Sequence, residues 1–136
     1  MGKIKVGVIG AGSISEMHFD SYKHNQDVEI HAVCDINEER AKEKAEKYGA
    51  EKFFKSYHDL LADTEIDAVS ICTWNNTHAE IAIAALHAGK HVLVEKPLCK
   101  TVEEALEIEK AVKNSGGKTL QVGFVRRFGT NTQVLK

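Results

Sequence analysis

Val6-Gly7-Val8-Ile9-Gly10-Ala11-Gly12-Ser13-Ile14-Ser15 is a short apolar strand pattern that meets a glycine turn and runs straight into a helical stretch. Each part of it suits a dinucleotide cradle. Gly10 permits the tight turn, and Gly12 removes a side chain where a pyrophosphate must approach the backbone. Ser13 and Ile14 open a helix whose unpaired N–H groups face the phosphates. The third glycine of the usual pattern is Ser15, a small residue that still allows close packing of helix on strand. Val28-Glu29-Ile30-His31-Ala32-Val33-Cys34-Asp35 follows as a second strand that ends in an acid, twenty residues beyond Ser15. Asp35 can accept hydrogen bonds from the hydroxyls of an adenosine ribose, and its charge repels a 2′-phosphate. These residues therefore favour NAD over NADP.

Composition bounds the remainder. The 136 residues, 43% hydrophobic and 28% charged, suffice for one domain with its own core. A net charge of −2 gives no reason to expect nucleic acid as a partner. No stretch is apolar enough to cross a membrane, and the N-terminus enters the first strand without a cleavable signal, so the expected compartment is cytoplasmic. Cys34, Cys72 and Cys99 are far apart and odd in number, which reads as reduced structural thiols. No metal site is expected.

Strand patterns at Ile4–Ile9, Val28–Cys34, Lys52–Lys55, Ala68–Thr73, His91–Glu95 and Thr119–Val122 alternate with helical ones at Ile14–Lys23, Glu38–Tyr48, Tyr57–Ala62, His78–Ala88 and Val102–Ser115. Alternation of this kind requires crossover connections, hence an α/β fold of the Rossmann type. Its doubly wound, mostly parallel six-stranded sheet would have the order 3-2-1-4-5-6 and helices on both faces. Ser56-x-x-Asp59, Thr77-x-x-Glu80 and Thr101-x-x-Glu104 resemble capping boxes, and Gly49, Gly89 and Gly116 stand where helices should stop. In that order the ligand crevice opens at the carboxyl ends of the strands around the first and fourth. Two polar segments fall there: Cys72-Thr73-Trp74-Asn75-Asn76-Thr77-His78, and Glu95-Lys96-Pro97, which holds the sole proline.

At these residues the chain resembles the Gfo/Idh/MocA oxidoreductase family. The likeness covers nearly the whole sequence: the glycine turn, His18, Asp35, the Asn75-x-x-His78 pair, Gly89-Lys90-His91, Glu95-Lys96-Pro97 and the closing Gly123-Phe124-Val125-Arg126-Arg127-Phe128. Trp74 departs from it, standing where many members carry proline. The resemblance implies hydride transfer between nicotinamide and a carbinol carbon of a sugar, polyol or cyclitol, in a protein that forms homo-oligomers. It also implies that Lys96 is catalytic and lies close to the nicotinamide, where an ammonium can bind a substrate oxygen and stabilise charge as its proton leaves. Glu95 would hold or tune that lysine, and a cis bond before Pro97 would aim it.

The other candidates have two readings each. Asn75 either bonds the nicotinamide side of the cofactor or caps the next helix. His78, in the first turn of a helix, suits a neutral hydrogen-bonding ring more than an acid or base. Trp74 covers the adenine or nicotinamide, or fills core. His18 reads as a packed helix residue, and His31, His58, His87 and His91 have no visible partner. Arg126 and Arg127 contact an anionic group or are solvated.

Residues 1–122 make up the dinucleotide domain, and 123–136 read as the start of a connection to a second α/β domain absent from this chain. In the family that domain supplies an Asp and a His to the substrate, so the 136 residues alone are expected to lack turnover. The alternative is a nucleotide-sensing module without catalysis, which gives Lys96 no task. A methyltransferase-like domain is disfavoured by the lysine-proline strand end.

Overall fold

The computed structural model describes residues 2–123. In chain order they form β1 (Ile4–Ile9), α1 (Ser15–Lys23), β2 (Val28–Cys34), α2 (Glu38–Tyr48), β3 (Lys52–Phe54), α3 (Tyr57–Leu61), β4 (Ala68–Ile71), a 3-10 turn (Asn75–Thr77), α4 (His78–His87), β5 (His91–Glu95), α5 (Val102–Lys113) and β6 (Leu120–Gly123). The strands make one sheet in the order β3-β2-β1-β4-β5-β6, with every pair parallel, as the alternating pattern predicts. No helix among the described residues is long and apolar enough to cross a membrane.

Apolar strand residues serve both faces, which is why the strand patterns are continuous rather than alternating. Val6, Val8 and Val33 pack with Phe19 of α1 and with Ala41 and Ala45 of α2. Ile9, Val69, Ile71 and Val94 pack with Leu60 of α3, Ile81 and Leu86 of α4 and Ala111 of α5. Phe19 stacks on Tyr48 with 4.6 Å between ring centroids, tying α1 to α2. α3 lies so close over β1 that a Cβ on Gly7 would sit 2.8 Å from Leu60 Cδ2.

Of the three expected capping boxes one forms in full, one is reduced to a single side-chain cap, and one is absent. Thr101 and Glu104 form the full reciprocal box at α5, and Ser56 accepts from the His58 N–H at α3. Thr77 does not cap α4. Its hydroxyl donates to the Trp74 carbonyl at 2.7 Å and meets Thr73 Oγ1 at 2.6 Å, because the chain first makes the 3-10 turn that sequence patterning did not anticipate. Gly49, Gly89 and Gly116 all have positive φ just past their helices.

Strand ends shift by one or two residues. β4 stops at Ile71 rather than Thr73, since the Cys72 N–H bonds the Ile9 carbonyl and the chain then leaves the sheet. β3 has only three paired residues as an edge strand. β6 extends to Gly123, one residue past the expected boundary of 122. Arg126, Arg127 and the connection read into 124–136 lie outside the described residues.

Candidate functional site

The turn after β1 is built by backbone contact. Gly10 has φ 99°, and a Cβ there would lie 2.6 Å from the Cys72 carbonyl oxygen, so the turn presses against the end of β4 and admits no side chain. Gly12 has nothing within 4 Å of its would-be Cβ, and Ser13 and Ile14 beside it are exposed. Ser15 is fully buried. Its hydroxyl donates to the Gly12 carbonyl at 2.5 Å, so the residue in the third glycine position packs under the helix and also ties the turn. α1 has no side-chain cap hydrogen bond at Ile14; its first two N–H groups, of Ser15 and Glu16, bond the Gly12 and Ser13 carbonyls, which leaves the turn amides of Gly12, Ser13 and Ile14 as the ones without a partner among the described residues. An open approach, uncapped amides and a helix of nine residues fit a pyrophosphate.

Asp35 ends β2 beside this turn, and its carboxylate is fully engaged. Oδ2 accepts from the Ala11 N–H at 2.8 Å and Arg40 Nε at 3.2 Å; Oδ1 accepts from the Asn37 N–H at 2.8 Å and Arg40 Nη2 at 2.9 Å. Burial pushes this carboxyl up, but the Arg40 guanidinium and the two backbone amides outweigh it and hold Asp35 below the usual carboxylate range. Arg40 was not among the residues singled out from the sequence. Its spacing, five residues past Asp35 in the first turn of α2, is the signal that could have found it.

Past β4, Thr73 is half-buried, while Trp74 and Asn75 are exposed. Trp74 is 79% exposed, which removes core filling as its role. The N-cap positions of the 3-10 turn and α4 are Trp74 and Thr77, so Asn75 is not the cap of either. His78 is buried between two strand ends, with Nδ1 at 2.7 Å from the Pro97 carbonyl and Nε2 at 3.0 Å from the Thr73 carbonyl. It links the loop after β4 to the loop after β5. In that second loop the Lys96–Pro97 bond is cis and Lys96 is exposed.

Glu95 is turned inward, where His18 Nε2 donates to its Oε1 at 2.6 Å. His18 Nδ1 lies 3.3 Å from Ser70 Oγ, which also bonds the Tyr22 hydroxyl. Burial pushes the Tyr22 phenol up. A buried relay thus runs from Tyr22 through Ser70 and His18 to Glu95, the residue before Lys96. His18 is therefore more than a packed helix residue. Sequence patterning missed the pair because its members are 77 positions apart. His31 and His91 likewise have partners, Asp63 and the Thr119 N–H. Cys34, Cys72 and Cys99 are free; burial pushes the Cys34 thiol up to about 12 and the Cys72 thiol up as well, in line with inert structural thiols.

The glycine turn, Asp35, Thr73 to His78 and Glu95-Lys96 thus gather at the carboxyl ends of β1, β2, β4 and β5, the crevice of this strand order. A family model described as "Oxidoreductase family, NAD-binding Rossmann fold" matches residues 4–124. The chain belongs to the Gfo/Idh/MocA oxidoreductase family. Among its relatives, the myo-inositol 2-dehydrogenase of Thermotoga maritima is 38% identical over 133 residues, covering 98% of this chain and 40% of that enzyme. A 4-carboxy-2-hydroxymuconate-6-semialdehyde dehydrogenase of Sphingobium is 37% identical, over 97% of this chain and 42% of that enzyme. The crystal structure of scyllo-inositol dehydrogenase from Lactobacillus casei, with bound NAD(H) and scyllo-inositol, superposes with a TM-score of 0.90 at 26% identity, covering 98% of this chain and 39% of that one. The chain spans about 40% of the length of the curated relatives it matches.

Proposed function

We propose that this chain is the NAD-binding part of a dehydrogenase acting on a carbinol carbon of a cyclitol, sugar or polyol. The observation that carries the reading is the turn itself, with Gly10 packed on the Cys72 backbone and open amides above Gly12, facing Asp35. When bound, NAD would supply the hydride acceptor at its nicotinamide. Gly12, Ser13 and Ile14 hold the pyrophosphate; Asp35 takes the adenosine ribose; Thr73, Trp74 and Asn75 line the wall after β4. Lys96 is the catalytic residue, its ammonium donating a hydrogen bond to the substrate oxygen and stabilising the negative charge that develops on it. His78 positions the Lys96 loop, and the Tyr22–Ser70–His18–Glu95 relay fixes its base. The substrate class rests on the inositol dehydrogenases among the relatives. The muconate semialdehyde enzyme, equally similar, shows that identity alone does not select a substrate. In the same reading the whole protein is a cytoplasmic homo-oligomer, an assembly that light scattering checks.

NAD is preferred over NADP because Asp35 meets the ribose, with one qualification from Arg40. The Asp35 oxygens already accept four donors, about as many as a carboxylate can take. Ribose hydroxyls must therefore displace Arg40, whose side chain is 46% exposed. Calorimetry with NAD, ADP-ribose and NADP tests this. NAD and ADP-ribose are expected to bind and NADP to bind more weakly; Arg40→Ala should widen that gap and Asp35→Ala should narrow it. Failure to bind ADP-ribose would sink the nucleotide assignment. With NAD and inositols, turnover by the 136-residue chain is expected to be absent or barely detectable.

A further inference from the structure

At the opposite edge of the sheet, His31 of β2 is fully buried. Its Nε2 lies 3.1 Å from Asp63 Oδ2, an atom that also accepts from Lys52 Nζ at 2.9 Å. A carboxylate can only accept, so Nε2 carries a proton, and in the neutral ring Nδ1 keeps its lone pair. That lone pair has no hydrogen-bond partner. It faces two more acceptors, Glu51 Oε2 at 3.4 Å and Glu29 Oε1 at 4.0 Å. A lone pair buried against two carboxylates is repulsive unless a cation lies among them.

We propose that Glu29, His31 Nδ1 and Glu51 form a binding site for a divalent first-row transition ion such as zinc, remote from the nucleotide crevice. The three ligand atoms lie within 4.8 Å of one another. Metal-to-ligand bonds of about 2.0–2.2 Å place neighbouring ligand atoms roughly 3.3–3.5 Å apart, so the His31–Glu51 pair already fits and Glu29 must close slightly. Glu29 and Glu51 sit at the surface, with side chains 42% and 61% exposed, which gives an ion a way in and leaves room for water to complete its shell. A ring nitrogen among the donors favours zinc-like ions over calcium or magnesium. Asp63 plays the part usual behind a metal-bound histidine, fixing ring and tautomer through the far N–H. Local charge agrees, since among the described residues the four carboxylates of Glu29, Glu51, Asp63 and Glu65 face the three ammonium groups of Lys5, Lys52 and Lys90. The residues come from β2 and the entrance to β3, so no metal-ligand spacing marks them in the sequence.

Titrating the chelator-stripped chain with zinc chloride by calorimetry, alongside thermal unfolding with and without zinc, tests the site. One zinc per chain is expected, with a rise in unfolding midpoint. Glu29→Gln with Glu51→Gln, both at exposed positions that leave the core intact, should weaken zinc at least about tenfold, and Asp63→Asn should weaken it about 10–100-fold. ADP-ribose affinity should not change in the double variant. No zinc binding, or binding equal in the double variant and the unmodified chain, would overturn the proposal. So would nitrogen NMR showing Nδ1 of His31 protonated at pH 7 and indifferent to zinc, because a proton then fills the gap.

Discussion

At the carboxyl edge of the sheet, backbone groups are left without protein partners. α1 begins with no side-chain cap, Gly12 faces open space, and Trp74 and Lys96 stand in solvent. At the amino edge, side chains reach in to close the backbone. Lys90 is buried, and its Nζ donates to the carbonyls of Asp63 and Ile66, both at 2.8 Å. Lys5 holds Glu65, and its N–H bonds the Asp67 carboxylate. The unmet amides at one edge are where a ligand can gain binding energy, while the satisfied carbonyls at the other serve stability. Among the described residues, His31 Nδ1 is the one buried side-chain polar atom without a hydrogen-bond partner.

Substitutions can break this contrast. The largest effect is expected for Gly10→Ala, which puts a Cβ into the Cys72 carbonyl at a positive φ. It should cost roughly 2–4 kcal/mol in urea unfolding and abolish ADP-ribose binding. Lys90→Met should cost about 1–3 kcal/mol by stranding two carbonyls, yet leave ADP-ribose affinity unchanged, since its site lies at the other edge. Gly12→Ala should do the reverse, with stability within about 0.5 kcal/mol of the parent and nucleotide binding weakened about tenfold as a methyl meets the pyrophosphate. Equal losses of stability from Gly10→Ala and Gly12→Ala would show that the turn is not braced on β4.

The smallest expected effect is an acid response of the amino edge. Burial pushes the Asp63 carboxyl up, but Lys52, the Glu65 N–H and His31 overcome it and hold it at about 2. Its folded value is depressed, so its contribution is complete above the ordinary carboxylate value and is lost as the pH falls from there through about 2. Between pH 6 and pH 3 this should remove about 1 kcal/mol. Asp63→Asn should flatten that part of the stability profile, which denaturant titrations at several pH values would read.

Much of this was legible in one dimension. β1 and β2, the glycine turn and Asp35 follow each other at fixed spacing, because a strand, a tight turn and a helix are local structures whose residue demands are met within a few positions. Strand order followed from the same alternation. What the sequence could not show lies in pairs separated by the winding of the chain: His18 with Glu95, His78 between Thr73 and Pro97, Lys90 under Asp63 and Ile66, His31 with Asp63 and Glu51. Arg40 is an intermediate case, near enough in sequence to suspect, yet only the fold closes its guanidinium on Asp35. Local chemistry sets the elements and the cradle by itself. Which buried polar groups meet depends on the sheet bringing distant strand ends together, where a hydrogen bond between them carries no periodic trace along the chain.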